Sequence, residues 1–364
     1  MNAERLHAIV IALNQEMTKR NTVVKMQELI TALQNVVNQP HPSHQQGLSQ
    51  NLKNMYAAVS DVPSDKFSPA WRQILCQIGG EDLFGQVLKA NIENVFARNQ
   101  ITPAVALEDL QELHKRLQTF KNALDQGISA LRVFNIGDEK LAPGECEIGI
   151  LIPREAVSNQ LLEFADELKE LGFILNTFAE VATGKKDTLL IRTISSSDLL
   201  VHLQAATPYA ACIAVAIERV VALYKQLLEI RKIRQELRKQ GVPDEETTGV
   251  DNYANHLMEK GIEKIAVEVV NTFHKAGDKG RKNELTNGVR ISLNKIANRI
   301  DHGFNLEVRV EPIAVGKADE QKDSKLLKEV AAIQSATANM QFMKLEGQPI
   351  LRLPEGKEKP KKKE

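Results

Sequence analysis

Aromatic residues make up only 4% of this 364-residue chain, and cysteine occurs three times. So few aromatic side chains argue against a protein that stacks on the bases of single-stranded nucleic acid. The cysteines, Cys76, Cys146 and Cys212, are odd in number and lie far apart among apolar residues. This usage is typical of structural thiols in a reducing compartment, so the sequence predicts a cytoplasmic protein.

The chain also lacks net charge and a long apolar run. Its 47 basic residues balance 47 acidic ones, so any surface for nucleic acid or membrane must be a local patch. The longest uninterrupted apolar run, residues 209–217, is far shorter than the roughly 18 residues of a membrane span. The first residues have no apolar core of a signal peptide. We therefore expect no membrane association.

Apolar residues at helical spacing dominate the first third of the chain. Leu6, Ile9, Leu13 and Met17 recur at intervals of three and four, and a second series runs from 23 to 37. The two series predict an antiparallel helical hairpin. Further helices should follow, and a long one should begin at Thr102-Pro103, a cap followed by proline, and end near Gln126. We interpret residues 1–127 as a helical arm.

After Gly127 the apolar residues alternate instead, as in a strand. Alternation over residues 145–152 and 304–311 predicts two strands, and we expect a helix ending at Gly172 and a β-hairpin of residues 173–181 and 188–194 between them. The fold class is therefore mostly α with a small α+β module, in which a small mixed sheet packs on long helices. The predicted domains are listed here: an α+β core over 128–316 containing a helical block over 209–301, a C-terminal helical segment over 317–353, and a disordered lysine-rich tail over 354–364.

Two basic segments are the main binding candidates. Each of the segments 219–239 and 275–299 carries seven Lys and Arg against two acidic residues. If the helices 219–239 and 279–299 share one side, they form a groove for phosphates, with asparagines of the second helix adding polar contacts. The candidate nucleic-acid-binding residues are Arg231, Arg234, Arg238, Arg281, Lys282, Arg290 and Lys295. We favour the alternative in which these cations pair internally with the acidic segment 244–268.

Candidates for catalysis are few. Ser197, Asp198 and His202 invite comparison with a nucleophile and base, with Asp198 and His202 on one helix face. Serines between a strand and a helix are more simply N-caps, and no glycine-rich phosphate loop accompanies them. His41 and His44 have no cysteine or carboxylate cluster nearby, so we expect no metal and no cofactor. Glu145 and Glu147 lie on one strand face, which suits paired carboxylates, although an exposed sheet face predicts the same residues.

These observations favour an interaction or scaffold protein, such as an accessory subunit of a multi-protein assembly, over an enzyme. The apolar series at 6–17 and 23–37 exceed what one hairpin covers, so we expect self-association through helices, together with a larger protein partner. One alternative is a nucleic-acid-binding protein that uses the two basic helices. Another is a phosphate-ligand-binding protein or hydrolase centred on Ser195–His202.

Overall fold

The computed structural model of the chain describes residues 2–195, 199–274, 279–313 and 324–356. In these residues it is 71% helical, with twelve α-helices and one four-stranded antiparallel sheet. The predicted fold class, mostly α with a small α+β module, is confirmed. The chain divides into two compact units, Met1–Lys140 and Leu141–Glu364, and each has its own apolar core.

The described residues of unit 1 form helices and connecting loops, without a strand. Two short 3₁₀ turns, Pro63–Lys66 and Glu81–Leu83, interrupt the helices. Prolines at the first turn begin several helices, where the missing amide hydrogen removes no hydrogen bond. The helices are α1 Ala3–Arg20, α2 Thr22–Asn38, α3 Pro42–Val59, α4 Pro69–Gln77, α5 Gly85–Arg98 and α6 Pro103–Val133.

The two apolar series of the arm are buried inside unit 1. Ile9, Leu13, Met26 and Leu33 are all within its core. The largest helix contact of α2 is with α3, and both α1 and α2 pack on α6, so the expected pairing of α1 with α2 is not the main contact. These other helices cover the series within one copy of the chain, so the series give no separate reason for self-association, which stays a prediction.

Helix α6 continues through Gly127 to Val133. The prediction that helical structure ends near Gln126 is therefore wrong, and the predicted domain boundary at 127 lies inside this helix. A glycine within a helix costs only about 1 kcal/mol relative to alanine. Packing of Leu124, Ile128 and Leu131 on the core of unit 1 offsets that cost.

Unit 2 combines the sheet with the remaining helices. Its strands are β1 Cys146–Ile152, β2 Leu190–Ser195, β3 Leu199–Ala205 and β4 Asn305–Val310. Its helices are α7 Leu161–Thr183, α8 Thr207–Lys225, α9 Leu228–Lys239, α10 Thr248–Phe273, α11 Lys279–Asp301 and α12 Ser324–Asn339.

The strands lie in the order β2-β3-β1-β4, and every pairing is antiparallel. The prediction of a mixed sheet is therefore wrong. One face carries buried aliphatic residues of β1, β3 and β4, which pack with α8 and α12 in the core of unit 2. The alternation that predicted β1 and β4 is confirmed, because residues two apart lie on the same face of a strand.

Helix α7 runs past Gly172 to Thr183, so the predicted helix end and the predicted strand 173–181 are wrong. Leu171, Ile174, Leu175 and Phe178 are buried at intervals of three and four, which is the spacing of a helix. Strand β2 agrees with the predicted segment 188–194, but its hairpin partner is β3, which follows it.

The predicted basic helix 219–239 is interrupted at residues 226–227, so its residues are divided between α8 and α9. Helix α8 is the one described helix that is long and apolar enough to span a membrane, but 67% of the relevant window is buried in the protein. Such burial is the pattern of the core helix of a soluble protein.

Between the end of α12 and residue 356, the described residues form no helix or strand. Residues 340–356, which we name the strap, extend over α9, α10 and α11 and reach β4. The predicted C-terminal helical segment, 317–353, contains α12, but the prediction is wrong for residues 340–353, which belong to the strap. Residues 354–356 of the predicted tail belong to the strap, and 357–364 lie outside the described residues.

Candidate functional site

Two arginines of the first basic helix are buried in the protein instead of facing solvent. Arg231 and Arg234 are only 6% and 9% exposed, whereas Ile233 between them is 51% exposed. Arg234 Nε lies 2.8 Å from Asp251 Oδ1 on α10. A phosphate groove would need both arginines at the surface, but acceptors on α10, α11 and the strap hold them inside the protein.

The cations of α11 pair mainly with α7. Arg281 forms ion pairs with Glu180 and Glu284, and Lys295 pairs with Glu170 while its Nζ lies 5.3 Å from the centroid of the Phe173 ring. Internal pairing with the acidic segment 244–268 is seen for Arg234 and also for Arg219, which contacts Glu268. Pairing of α11 with α7 was not predicted.

The remaining candidate cations are less engaged. Arg290 donates to Asn287 Oδ1 at 2.9 Å on its own helix. Lys282 is exposed, and Arg238 is half-buried. The seven candidates therefore do not share one environment: two are buried, two pair with α7, and the others lie nearer the surface.

The proposed Ser–Asp–His site is only partly described. Ser197 and Asp198 lie outside the described residues. His202 is in strand β3 and fully buried, so the expectation that Asp198 and His202 share a helix face is wrong. Residues 199–205 pair with β1 along their whole length, which explains the strand.

A buried charged cluster surrounds His202 on the polar face of the sheet. Its Nδ1 lies 3.3 Å from Glu147 Oε1, and Arg309 Nε lies 3.5 Å from the same oxygen. Glu147 and Glu307 are each only 1% exposed, so the interpretation that Glu147 lies on an exposed sheet face is wrong. Gly149 makes room for the cluster, because a Cβ there would lie 2.9 Å from Glu307 Cγ and 3.0 Å from His202 Cε1.

Buried carboxylates and guanidinium groups compensate one another in this cluster, with Arg192 also pairing with Glu145. Such a network fixes neighbouring strands in register more readily than it performs chemistry, since a substrate cannot reach it. No set of ligands suited to a metal ion occurs among the described residues. His41 and His44 use their Nδ1 atoms locally, on Ser43 Oγ at 2.7 Å and Gln39 O at 2.8 Å.

A second buried polar cluster is centred on Asp301, at the end of α11. Asp301 Oδ1 accepts from the Tyr224 hydroxyl and from Arg231 Nη1, both at 2.6 Å. Its Oδ2 accepts from the backbone amides of Ile350 and Leu351 at 2.6 and 2.7 Å. Burial raises the pKa of Tyr224, and the neighbouring Asp301 carboxylate raises it further, so the hydroxyl stays protonated and donates.

Other side chains hold the strap by its backbone. Arg231 donates to Glu346 O at 2.8 Å and Gly347 O at 2.6 Å. Asn298 accepts from Leu353 N and donates to Leu353 O, both at 3.0 Å. We name this set the strap groove; it consists of Arg231, Asn255, Asn294, Asn298, Asp301 and Asn305.

The sequence pointed to two of these amides for another purpose. Asn294 and Asn298 were expected to assist contacts to a sugar-phosphate backbone, but they contact the polypeptide backbone of the strap. Their spacing of four residues places them on one face of α11, which was a usable signal for a shared contact. The strap itself has no periodicity that could have identified its partner.

Comparison of the chain with protein-family models, curated proteins and solved structures finds no match. The fold and its sites therefore define the class: a two-unit, mainly helical protein with a small antiparallel sheet and a strap held by its backbone.

Proposed function

We propose that the chain is a cytoplasmic interaction subunit that docks on other protein through the edge strand β2. The observation that carries this proposal is the exposure of apolar side chains on that strand. Ile191 and Ile194 are 60% and 44% exposed, although they lie on the same face of the sheet as the buried core residues. Three free thiols, at Cys76, Cys146 and Cys212, support a reducing compartment.

The geometry of β2 suits strand addition. It lies at the edge of the sheet, and Ile191 and Ile194 pair with Leu203 and Val201 of β3. A bulge between residues 191 and 193 keeps both isoleucines on the apolar face although they are three residues apart. Soluble proteins normally protect such an edge, so an exposed apolar edge indicates a docking surface.

A second copy of the chain fits this edge. Antiparallel pairing about a two-fold axis between residues 192 and 193 would place Ile191 of one copy opposite Ile194 of the other. The same contact is then made twice, as a symmetric dimer requires. Self-association through β2 replaces the expected association through the helices of the arm, and a larger protein partner could add a strand in the same way.

The dimer should be weak. Full burial of an isoleucine contributes about 1.5–3 kcal/mol, so covering the exposed parts of two isoleucines on each copy gives about 3–6 kcal/mol per dimer. Backbone pairing adds to this, while association costs at least about 4 kcal/mol. We therefore expect monomers at nanomolar concentration and partial dimerisation that grows with concentration from tens of micromolar upward.

The test is light scattering after gel filtration over that concentration range, with Ile191→Lys and Ile194→Lys combined. The variant should stay monomeric while retaining its circular-dichroism spectrum. Ile101→Lys is the matched control, since Ile101 is 94% exposed in unit 1 and should not change the mass. Two results together contradict the proposal. The wild-type chain is monomeric at every concentration, and it captures no partner protein that the double variant fails to capture.

Nucleic-acid binding is the second candidate, and the exposed position of Lys282 on α11 favours it. Reversing Arg231 or Arg234 cannot test it, because both are buried in ion pairs. Lys282→Glu should weaken binding to duplex DNA, and each lost phosphate contact should reduce the logarithmic salt slope by about 0.9. Filter binding at several salt concentrations measures this; no binding by the wild-type chain at low salt removes the candidate.

A further inference from the structure

We propose that the strap groove is a binding site for an extended peptide, that the strap is its occupant in cis, and that a partner segment of the same chemistry can replace the strap. This inference does not depend on docking at β2. It rests on how the strap is held.

The polar side chains of the groove contact mainly the backbone of the strap. Asn305 brackets Met343, accepting from its N at 2.7 Å and donating to its O at 3.2 Å. Asn298 brackets Leu353 in the same way, and Asn255 accepts from Arg352 N at 2.7 Å. Amide brackets of this kind satisfy an extended chain of almost any sequence, because every residue other than proline carries the same donor and acceptor.

The strap does not satisfy its own backbone. Its described residues form no helix or strand, so its amides and carbonyls depend on side chains of α9, α10, α11 and β4. A segment that gains its hydrogen bonds and its burial only from the surface beneath it behaves as a bound ligand that folds on binding. A helix of the core, by contrast, brings its own hydrogen bonds.

Apolar pockets set the chemistry of the occupant. Ile350, Leu351 and Leu353 are buried in the core of unit 2, while Arg352 and Pro354 are exposed. The groove therefore selects two adjacent apolar residues, one unrestricted residue and a third apolar residue, in an extended conformation. A carboxylate one or two positions later would meet the Asn298 amide, as Glu355 does at 2.7 Å.

A partner must overcome the advantage of the tethered strap. A segment linked within the chain acts at an effective concentration of about millimolar, so a free peptide that binds the empty groove at about 10 μM would be about 100-fold weaker on the wild-type chain. The strap thus keeps the groove closed to weak ligands.

The experiment uses the full chain with Ile350→Ser, Leu351→Ser and Leu353→Ser, which we name the open variant. The probe is a fluorescein-labelled synthetic peptide with the sequence of residues 340–356, and the readout is fluorescence anisotropy. The open variant should bind the peptide about 100-fold more tightly than the wild type does. A peptide with the same three serines should not bind.

Two further substitutions in the open variant test the groove. Asn298→Ala should weaken peptide binding about five- to tenfold, because it removes two hydrogen bonds to the peptide backbone. Asn287→Ala is the matched control on the same helix, since the Asn287 side chain contacts Arg290 and not the strap. Equal effects of the two substitutions would overturn the assignment of the groove.

The folding of the open variant does not leave the proposal undecided. If it keeps the wild-type circular-dichroism spectrum and binds no peptide, the proposal fails. If it is unfolded and excess peptide restores neither the spectrum nor a melting transition, the strap is an inseparable part of the fold and the proposal also fails. Dimers that survive the β2 substitutions but disappear in the open variant would overturn the claim that a segment of another protein replaces the strap. They would identify the strap of a second copy as the occupant of the groove.

Discussion

Replacing Asp301 by alanine should destabilise unit 2 more than any substitution of an exposed aspartate. The Asp301 carboxylate is 0% exposed and accepts from the Tyr224 hydroxyl, Arg231 and two amides of the strap. Its removal leaves the buried Arg231 guanidinium without its carboxylate, although Arg231 keeps its backbone acceptors. Breaking a buried ion pair in this way costs about 3–5 kcal/mol.

The expected change in melting temperature follows from the size of the unit. For a domain of about 150–250 residues, each kcal/mol lowers the melting temperature by about 2–4 °C. Asp301→Ala should therefore lower the transition of unit 2 by about 6–20 °C in differential scanning calorimetry. Asp166→Ala is the control, because Asp166 forms an exposed pair with Lys169 and such pairs contribute about 1 kcal/mol or less.

A double substitution separates the charge from the packing. Arg231→Met combined with Asp301→Ala removes both charges, so the loss should be smaller than the sum of the single losses by at least about 1 kcal/mol. If Asp301→Ala shifts the transition no more than Asp166→Ala does, the buried polar cluster around Asp301 does not contribute the stability assigned to it.

Three other changes have expected outcomes. Gly149→Ala should destabilise the protein by about 1–3 kcal/mol because the new Cβ meets Glu307. Gly172→Ala has open space around it inside α7 and should stabilise the protein by about 0.5–1 kcal/mol. Urea unfolding measures both changes. Burial raises the pKa of Glu16 above its usual value, so the stability that Glu16 contributes is present at low pH and is lost as pH rises through the folded pKa. Relative to the Glu16→Gln variant, the wild type should therefore gain stability as pH falls from 7 to 4. A stability difference that does not change with pH would contradict this. A fragment ending at residue 140 should melt higher than one ending at 127, because the shorter fragment loses Glu139, which pairs with the buried Arg5 at 3.1 Å; equal melting would contradict this.

The spacing of apolar residues was sufficient to predict an element wherever its buried face repeats along the element itself. The apolar spacing of α1 and α2 and the alternation of β1 and β4 predicted these elements correctly. Gly172 was misleading because it was interpreted as a helix end, while the spacing of Ile174 and Phe178 already continued the helical pattern. A glycine inside a helix is a modest cost that packing overrides.

The polar sites could not be predicted in the same way, because their partners lie far apart in sequence. Arg231 finds Asp301 and the carbonyl of Gly347, 70 and 116 residues away. Arginine in a basic run is usually exposed, and only a buried carboxylate and carbonyl acceptors can reverse that tendency. Nothing within α9 reveals those acceptors. Similarly, His202 is buried because Glu147 and Gly149 lie beside it in the neighbouring strand.

The same reasoning changes what the asparagines of α11 indicate. An amide beside arginines suits a phosphate backbone, but it can donate and accept at once, which a phosphate cannot reciprocate and a polypeptide backbone can. Asn298 uses both atoms of its amide on the single residue Leu353. Asn255 and Asn305 also donate and accept on the strap. Paired donor and acceptor contacts repeated along one groove therefore favour recognition of a peptide over recognition of nucleic acid at this surface.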